Sequence, residues 1–181
     1  PSGRYAGFAL RLWPGFNAKA QAIADCARYV YEKHGLTPVF IPINHRSDSE
    51  AAEMVAGLLD GVPHVLLPGP LPSSLAIGIM GRMEIVVSMR LHGLIFAAGQ
   101  GVPVVGISYD PKVTAFLRCV DGECVSLEDA ESGRLCAMAD GAVARRANPE
   151  ALCRSVAYLR ELEGRNTRAA ARLLGKEVRH D

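Results

Sequence analysis

The chain has 181 residues, of which 49% are apolar and 22% are charged. This composition supports a sizeable core in one domain, residues 1–181, and excludes a disordered chain. Twenty basic and 19 acidic residues give a formal net charge of +1, which is too even to predict binding to nucleic acid. No apolar stretch is long enough to span a membrane, and the first residues lack the form of a signal peptide, so we expect a cytoplasmic protein.

The first half of the chain alternates short apolar segments with amphipathic ones. Strands are predicted at residues 5–10, 37–43, 64–67 and 84–88, and helices at 17–34, 48–59 and 72–81. Asn17 can cap the first helix, Gly35 ends it, and Ser47 or Asp48 can cap the second. The strand and helix unit therefore repeats.

The second half continues this alternation. Helices are predicted at residues 91–98, 111–118, 127–138 and from 149 to about 174, and strands at 102–108 and 123–126. Asp110 before Pro111 is a strong helix start, because proline fits the first helical position. The pattern predicts an α/β fold: a doubly wound, Rossmann-like parallel sheet with helices on both faces. Ligands of such sheets bind outside the carboxyl ends of the strands.

Five cysteines form an odd set without CxxC spacing: Cys26, Cys119, Cys124, Cys136 and Cys153. This spacing predicts neither a disulfide framework nor a zinc site, so we expect reduced thiols that act as small apolar residues. No GxGxxG follows the first strand, which disfavours a dinucleotide. We therefore predict no metal and no cofactor.

The most informative segment is residues 88–93, Ser-Met-Arg-Leu-His-Gly, between a strand and a helix. Arg90 and His92 fall beside the first turn of that helix, whose free N–H groups favour anions. The guanidinium of Arg90 suits a phosphate or carboxylate, with a salt bridge to Glu84 or Asp110 as the alternative. His92 can exchange a proton near neutral pH, although a structural role is as common.

Further cations follow neighbouring strands. Lys112 comes 20 residues after His92, one helix and one strand away, which returns the chain to the same edge. Its ammonium can meet a phosphate, and a surface lysine is the alternative. Arg11 ends the first strand, with ligand and surface roles equally open. We expect the guanidinium, imidazole and ammonium groups of Arg90, His92 and Lys112 to share one hollow.

Other polar or aromatic residues are weaker candidates. His45 and Arg46 also follow a strand, but capping is as common there as ligand binding. Trp13 could stack on a sugar, and burial against a helix is the commoner outcome for an aromatic side chain. The remaining histidines are expected at the surface without a convergent partner: His34, His64 and His180.

Residues 89–98 and 101–113 resemble the polysaccharide pyruvyltransferases, most closely those of the bacterial cell-wall type. The resemblance implies a donor-binding carboxyl-terminal lobe of a two-lobed GT-B-like enzyme, without the amino-terminal lobe. It also implies His92 as the catalytic residue. The substrate-binding residues that it implies are Arg90, Leu91, Lys112, Arg11, Ser88 and Tyr109.

The implied reaction transfers pyruvate from phosphoenolpyruvate to two hydroxyls of a sugar, forming a ketal. The implied acceptor is a lipid-linked precursor of a cell-wall polysaccharide, so peripheral association with the inner face of the membrane is left open. In this interpretation Arg90 and Lys112 hold the two anionic ends of the donor, and His92 moves a proton.

Two alternatives remain. A GT-B glycosyltransferase or sugar-nucleotide epimerase lobe would hold a nucleotide diphosphate with similar cations, and it would need an acidic residue for the ribose. Glu123 and Glu128 are the candidates. The other alternative is a noncatalytic anion-binding domain.

Overall fold

A six-stranded parallel sheet organises the chain in the computed structural model, which describes residues 3–69 and 71–174. The strands are β1 (Tyr5–Ala9), β2 (Thr37–Phe40), β3 (Val65–Leu66), β4 (Ile85–Ser88), β5 (Val104–Ser108) and β6 (Glu123–Ser126). Their order is β3-β2-β1-β4-β5-β6, and every neighbouring pair is parallel. Because the order reverses at β1, the sheet is doubly wound, and the predicted fold class is confirmed.

Helices cover both faces of the sheet. They are α1 (Phe16–His34), α2 (His45–Ala56), α3 (Ser73–Met80), α4 (Leu91–Gly99), α5 (Pro111–Cys119), α6 (Ser132–Arg146) and α7 (Glu150–Leu173). One buried cluster joins α1, α2 and α6 to the sheet, and a second joins α3, α4, α5 and the start of α7 to the other face. Successive residues of β1 enter different clusters, Phe8 the first and Ala9 the second, as the alternation of side chains along a strand requires.

Helix α6 begins and ends later than the sequence predicts. Residues 127–131 form a turn instead of helix, in which the hydroxyl of Ser126 accepts a hydrogen bond from the backbone N–H of Asp129 and donates to its carboxylate. This local bonding competes with helix formation. The helix continues to Arg146 because Ala139 and Ala142 extend its buried face, which packs against α1.

Helix α2 begins at His45, two residues before Ser47 and three before Asp48, the two predicted caps. Asn44 occupies the N-cap position, and Asp48 lies inside the first turn. The carboxylate of Asp48 reaches back to accept hydrogen bonds from the backbone N–H groups of Ile43 and Asn44, at 3.0 and 2.6 Å. Asp48 therefore stabilises the helix start from within, like the acidic residue of a capping box.

Three further features bear on function. No helix in the described part of the chain is both long and apolar enough to cross a membrane. Within residues 3–69 and 71–174, no three His, Cys, Asp or Glu side chains gather as they would around a metal ion. The five cysteines are free thiols.

Candidate functional site

The turn between β4 and α4 rests on Ser88, which is fully buried. Its hydroxyl accepts a hydrogen bond from the backbone N–H of Arg90 at 2.9 Å and lies 2.9 Å from the carbonyl oxygen of Arg90. Gly93 packs directly on this hydroxyl, since a Cβ at position 93 would lie 2.7 Å from it. The structure therefore places Ser88 beneath the site, where it shapes the turn, and not on the surface that a substrate would touch.

Arg90 is held by a buried ion pair with Asp48. Its Nε lies 2.9 and 3.0 Å from the two carboxylate oxygens, and its Nη2 lies 2.6 Å from Oδ1. The side chain of Asp48 is fully buried, and that of Arg90 is 12% exposed. The two partners suggested by the sequence bind elsewhere: Glu84 pairs with Arg4 and Arg146, and Asp110 pairs with Lys112.

This pairing fixes the direction of the Arg90 guanidinium. Its contacts with Asp48 use Nε and Nη2, which leaves Nη1 as the guanidinium nitrogen that Asp48 does not engage. Arg90 borders a cavity of about 450 Å³, which lies at the carboxyl edge of the sheet between the end of β2, α3 and α4. The cavity is lined by Ile43, Asn44, Ser73, Arg90, His92 and Phe96, among others.

His92 stands in the first turn of α4 and borders the same cavity. The imidazole is exposed, and its ring centroid lies 6.1 Å from that of Phe96. Among the described residues, no side chain caps the N-terminus of α4. The first N–H groups of the helix are thus available beside His92 and Arg90, which favours an anion in the cavity. Leu91, which begins the helix, is half-buried and packs on the second core cluster.

Lys112 lies apart from this cavity. Asp110 caps α5 by accepting a hydrogen bond from the backbone N–H of Lys112, and the ammonium of Lys112 lies 3.0 Å from the same carboxylate. The backbone N–H and then the ammonium of Lys112 lower the pKa of Asp110 below its usual value. Of the three groups expected in one hollow, Arg90 and His92 lie together, whereas the side chain of Lys112 is 57% exposed and is not among the residues that line this cavity.

Arg11 and Tyr109 meet Trp13 above β1 and β5. The Nη1 of Arg11 donates to the hydroxyl of Tyr109 at 2.8 Å, and the guanidinium carbon lies 4.8 Å from the ring centroid of Trp13. The rings of Trp13 and Tyr109 pack in a tilted arrangement, with centroids 4.5 Å apart and an angle of 35° between their planes. Trp13 remains 38% exposed, so its side chain is only partly buried. It borders a second, larger cleft with Tyr109.

The remaining histidines are not all without partners. The Nε2 of His34 lies 2.7 Å from Asp140, which also binds Lys33 and Tyr29, so His34 belongs to a polar cluster between α1 and α6. The Nδ1 of His64 lies 2.8 Å from the carbonyl of Val62. The side chains of His45 and Arg46, and all of His180, lie outside the described residues.

Glycosyltransferases and epimerases of the GT-B type are among the solved structures to which this fold is similar. The glycotransferase of kitacinnamycin aligns with a TM-score of 0.62 at 17% identity, over 96% of this chain and 43% of that one. The UDP-GlcNAc 2-epimerase from Neisseria meningitidis aligns with a TM-score of 0.56 at 14% identity, over 86% and 39%. The chain thus spans about two-fifths of the length of these relatives.

A third structure is itself a single lobe. The C-terminal domain of a group 1 glycosyl transferase, LpcC from Francisella tularensis, aligns with a TM-score of 0.58 at 17% identity, over 85% of this chain and 83% of that domain. At these identities the likeness shows the fold alone: a Rossmann-like lobe of GT-B architecture.

Sequence comparison identifies the family. No curated protein matches the chain significantly. The model of the family described as polysaccharide pyruvyl transferase matches residues 1–111, more than half of the 181 residues. The matched region includes β1 to β5 and the turn that carries Arg90 and His92. The chain belongs to the polysaccharide pyruvyl transferase family.

Proposed function

We propose that this chain binds phosphoenolpyruvate at the cavity beside Arg90 and His92 and serves the transfer of its pyruvyl group to two hydroxyls of a saccharide. One observation carries the proposal. In a member of this family, a guanidinium and an imidazole border one cavity at the uncapped N-terminus of a helix. That arrangement suits a small substrate with two anionic groups that must also exchange a proton.

The donor has two anionic ends, a carboxylate and a phosphate. The Nη1 of Arg90 can hold one of them, while the first N–H groups of α4 can hold the other. Lys112 is not among the residues that line the cavity and its ammonium pairs with Asp110, so donor binding in this proposal depends on Arg90 and the start of α4.

In the proposed reaction a proton adds to the methylene carbon of the enol, which becomes the methyl group of pyruvate. The neighbouring carbon turns electrophilic, the oxygen of one sugar hydroxyl bonds to it, and the C–O bond to phosphate breaks. The second hydroxyl then closes the ketal. Of the two hydroxyl protons, one replaces the proton given to the methylene and the other leaves with phosphate. His92 moves one of these protons in the proposal, either giving one to the methylene carbon or taking one from a sugar hydroxyl.

The acceptor in this proposal is a lipid-linked precursor of a cell-wall polysaccharide. Residues 1–181 then act as the donor-binding lobe, an amino-terminal lobe completes the cleft, and the enzyme works in the cytoplasm at the inner face of the membrane. The short span of the chain relative to its structural neighbours supports this division into lobes.

A nucleotide-sugar donor is less well supported. The two carboxylates considered for a ribose lie away from Arg90 and His92, since Glu123 pairs with Arg145 at 2.7 Å and Glu128 borders the other cleft. Among the described residues, the lining of the His92 cavity includes no carboxylate that could bind a ribose.

The test uses the natural full-length protein. It measures the phosphate released from phosphoenolpyruvate in the presence of a saccharide acceptor. We expect His92→Ala to lower the rate about 10²–10⁴-fold, the usual loss for a general acid or base, and to spare donor binding. The matched control is His64→Ala, which alters a histidine bonded to a carbonyl elsewhere. An unchanged rate for His92→Ala would remove the proton-transfer role, and no release by the unmodified protein would remove the proposal.

A further inference from the structure

The larger cleft is a feature that the proposed donor site leaves unused. It lies at the carboxyl edge of the sheet, between the loop after β1, the end of β5, α5 and the residues after β6. Its volume is about 720 Å³, within the range of roughly 300–1,000 Å³ that small-molecule sites occupy. We name it the Trp13 cleft after the first of its main lining residues, which are Trp13, Ser108, Tyr109, Asp110, Arg118 and Glu128.

Trp13 gives this cleft a fixed aromatic surface. The indole is held by the ring of Tyr109 and by the guanidinium of Arg11, and Arg11 is tied in turn to the hydroxyl of Tyr109. Despite these contacts, 38% of Trp13 stays exposed. A rigid, partly exposed indole offers the flat apolar face on which the C–H groups of a sugar ring pack.

The support of Trp13 also contains an unmet hydrogen-bond donor. The Nε of Arg11 is buried and has no hydrogen-bond partner within the described residues. Buried polar groups nearly always have a partner, so this donor is one of the few exceptions among the described residues.

The charges of the cleft indicate an uncharged ligand. Its lining carries two carboxylates, Asp110 and Glu128, against one guanidinium, Arg118. The carboxylate of Asp110 already caps α5, so the N-terminus of that helix does not attract an anion. Asp110 is also paired with Lys112, so the remaining charges of the lining are one carboxylate, Glu128, and one guanidinium, Arg118, which balance. A phosphate would find no excess positive charge there, whereas hydroxyl groups can donate to the carboxylate and accept from the guanidinium.

We propose that the Trp13 cleft binds the acceptor saccharide as an uncharged pyranoside, with one ring face on Trp13 and hydroxyls on Glu128 and Arg118. This inference rests on the proposed function, which places the donor beside His92. The two sites open side by side, because β4 and β5 are neighbours in the sheet and Ser88 pairs with Gly106. Arg90 and His92 of the donor cavity follow β4, and Tyr109 and Asp110 of the Trp13 cleft follow β5.

The sequence offers a direct reporter, since Trp13 is the one tryptophan in the chain. Fluorescence of the unmodified protein is titrated with a panel of uncharged pyranosides that includes N-acetylmannosamine. We expect a saturable change in intensity and wavelength for at least one of them. No saturable change with any pyranoside would overturn the inference, as would a response to uridine diphosphate alone.

Calorimetry then measures whether the ring of Trp13 itself contributes to pyranoside affinity. We expect Trp13→Ala to weaken pyranoside binding at least tenfold and Trp13→Phe, which keeps an aromatic ring, to weaken it less. The control Tyr158→Ala removes a 59% exposed aromatic residue on α7 and should leave the affinity unchanged. Equal affinity of Trp13→Ala and the unmodified protein would contradict the inference.

Phosphoenolpyruvate binding is measured on the same samples. If phosphoenolpyruvate binds and no pyranoside does, the acceptor site is wrong and the donor site stands. If a pyranoside binds at Trp13 and phosphoenolpyruvate does not bind, the saccharide site stands and the proposed donor fails.

Discussion

Replacing Asp48 with asparagine tests the buried contact that positions Arg90. Asparagine keeps nearly the same shape, and its side-chain oxygen can still accept hydrogen bonds from the N–H groups of Ile43 and Asn44. The variant removes the negative charge that Arg90 meets at 2.6–3.0 Å. The guanidinium, whose side chain is only 12% exposed, then has no countercharge at that position.

Burial sets the size of the effect. The side chain of Asp48 is fully buried, so this is a buried ion pair rather than a surface one. Removing one partner of a buried pair typically costs about 3–5 kcal/mol, because the other charge is left uncompensated. At about 2–4 °C per kcal/mol for a protein of this size, we expect the melting temperature to fall by about 6–20 °C.

Urea unfolding followed by circular dichroism measures this loss, and Asp129→Asn, at an exposed position, serves as the control. Adding Arg90→Met to Asp48→Asn removes the buried guanidinium that has lost its countercharge, and it should restore part of the stability. A loss below about 1 kcal/mol for Asp48→Asn, the range of surface pairs, would refute the reasoning.

Two further predictions concern stability. A Cβ at Gly93 would lie 2.7 Å from the Ser88 hydroxyl, so Gly93→Ala should lower the free energy of unfolding in urea by about 1–3 kcal/mol. The control Gly133→Ala places its Cβ in open space and should not lower it. Equal stability of the two variants would contradict this prediction. The hydrogen bond from Lys33 holds the pKa of Asp140 at about 2, below the usual 3.8. The stabilisation that ionised Asp140 provides is therefore complete above pH 3.8 and disappears as the pH falls to about 2. Asp140→Asn should therefore make the free energy of unfolding less dependent on pH below 3.8. An unchanged pH dependence in this range would argue against this role.

The parallel sheet and the Arg90 to His92 turn could be predicted because both depend on local pattern. Short apolar runs alternate with amphipathic segments, and the polar residues follow a strand directly. The position of His92 beside Arg90 needs only a strand followed by a helix. Both were therefore recognisable without knowledge of distant contacts.

The partner of Arg90 could not be found in this way, since Asp48 is 42 residues away and looked like a helix cap. Its real position inside the first turn of α2 lets one carboxylate serve both the helix start and the guanidinium. The separation of Lys112 has a similar cause. Its backbone N–H donates a hydrogen bond to the capping carboxylate of Asp110, and its ammonium pairs with the same carboxylate. Such choices between nearby partners depend on tertiary geometry that the spacing of residues does not specify.

The central claim is that the cavity beside Arg90 and His92 selects phosphoenolpyruvate. Phosphorus NMR of phosphoenolpyruvate, titrated with the protein and then with uridine diphosphate as competitor, tests it most directly. We predict that the phosphoenolpyruvate resonance broadens or shifts with the protein, that Arg90→Met in the Asp48→Asn background abolishes the change, and that the nucleotide does not reverse it. Displacement by uridine diphosphate, or a resonance that the protein leaves unchanged, would contradict the claim.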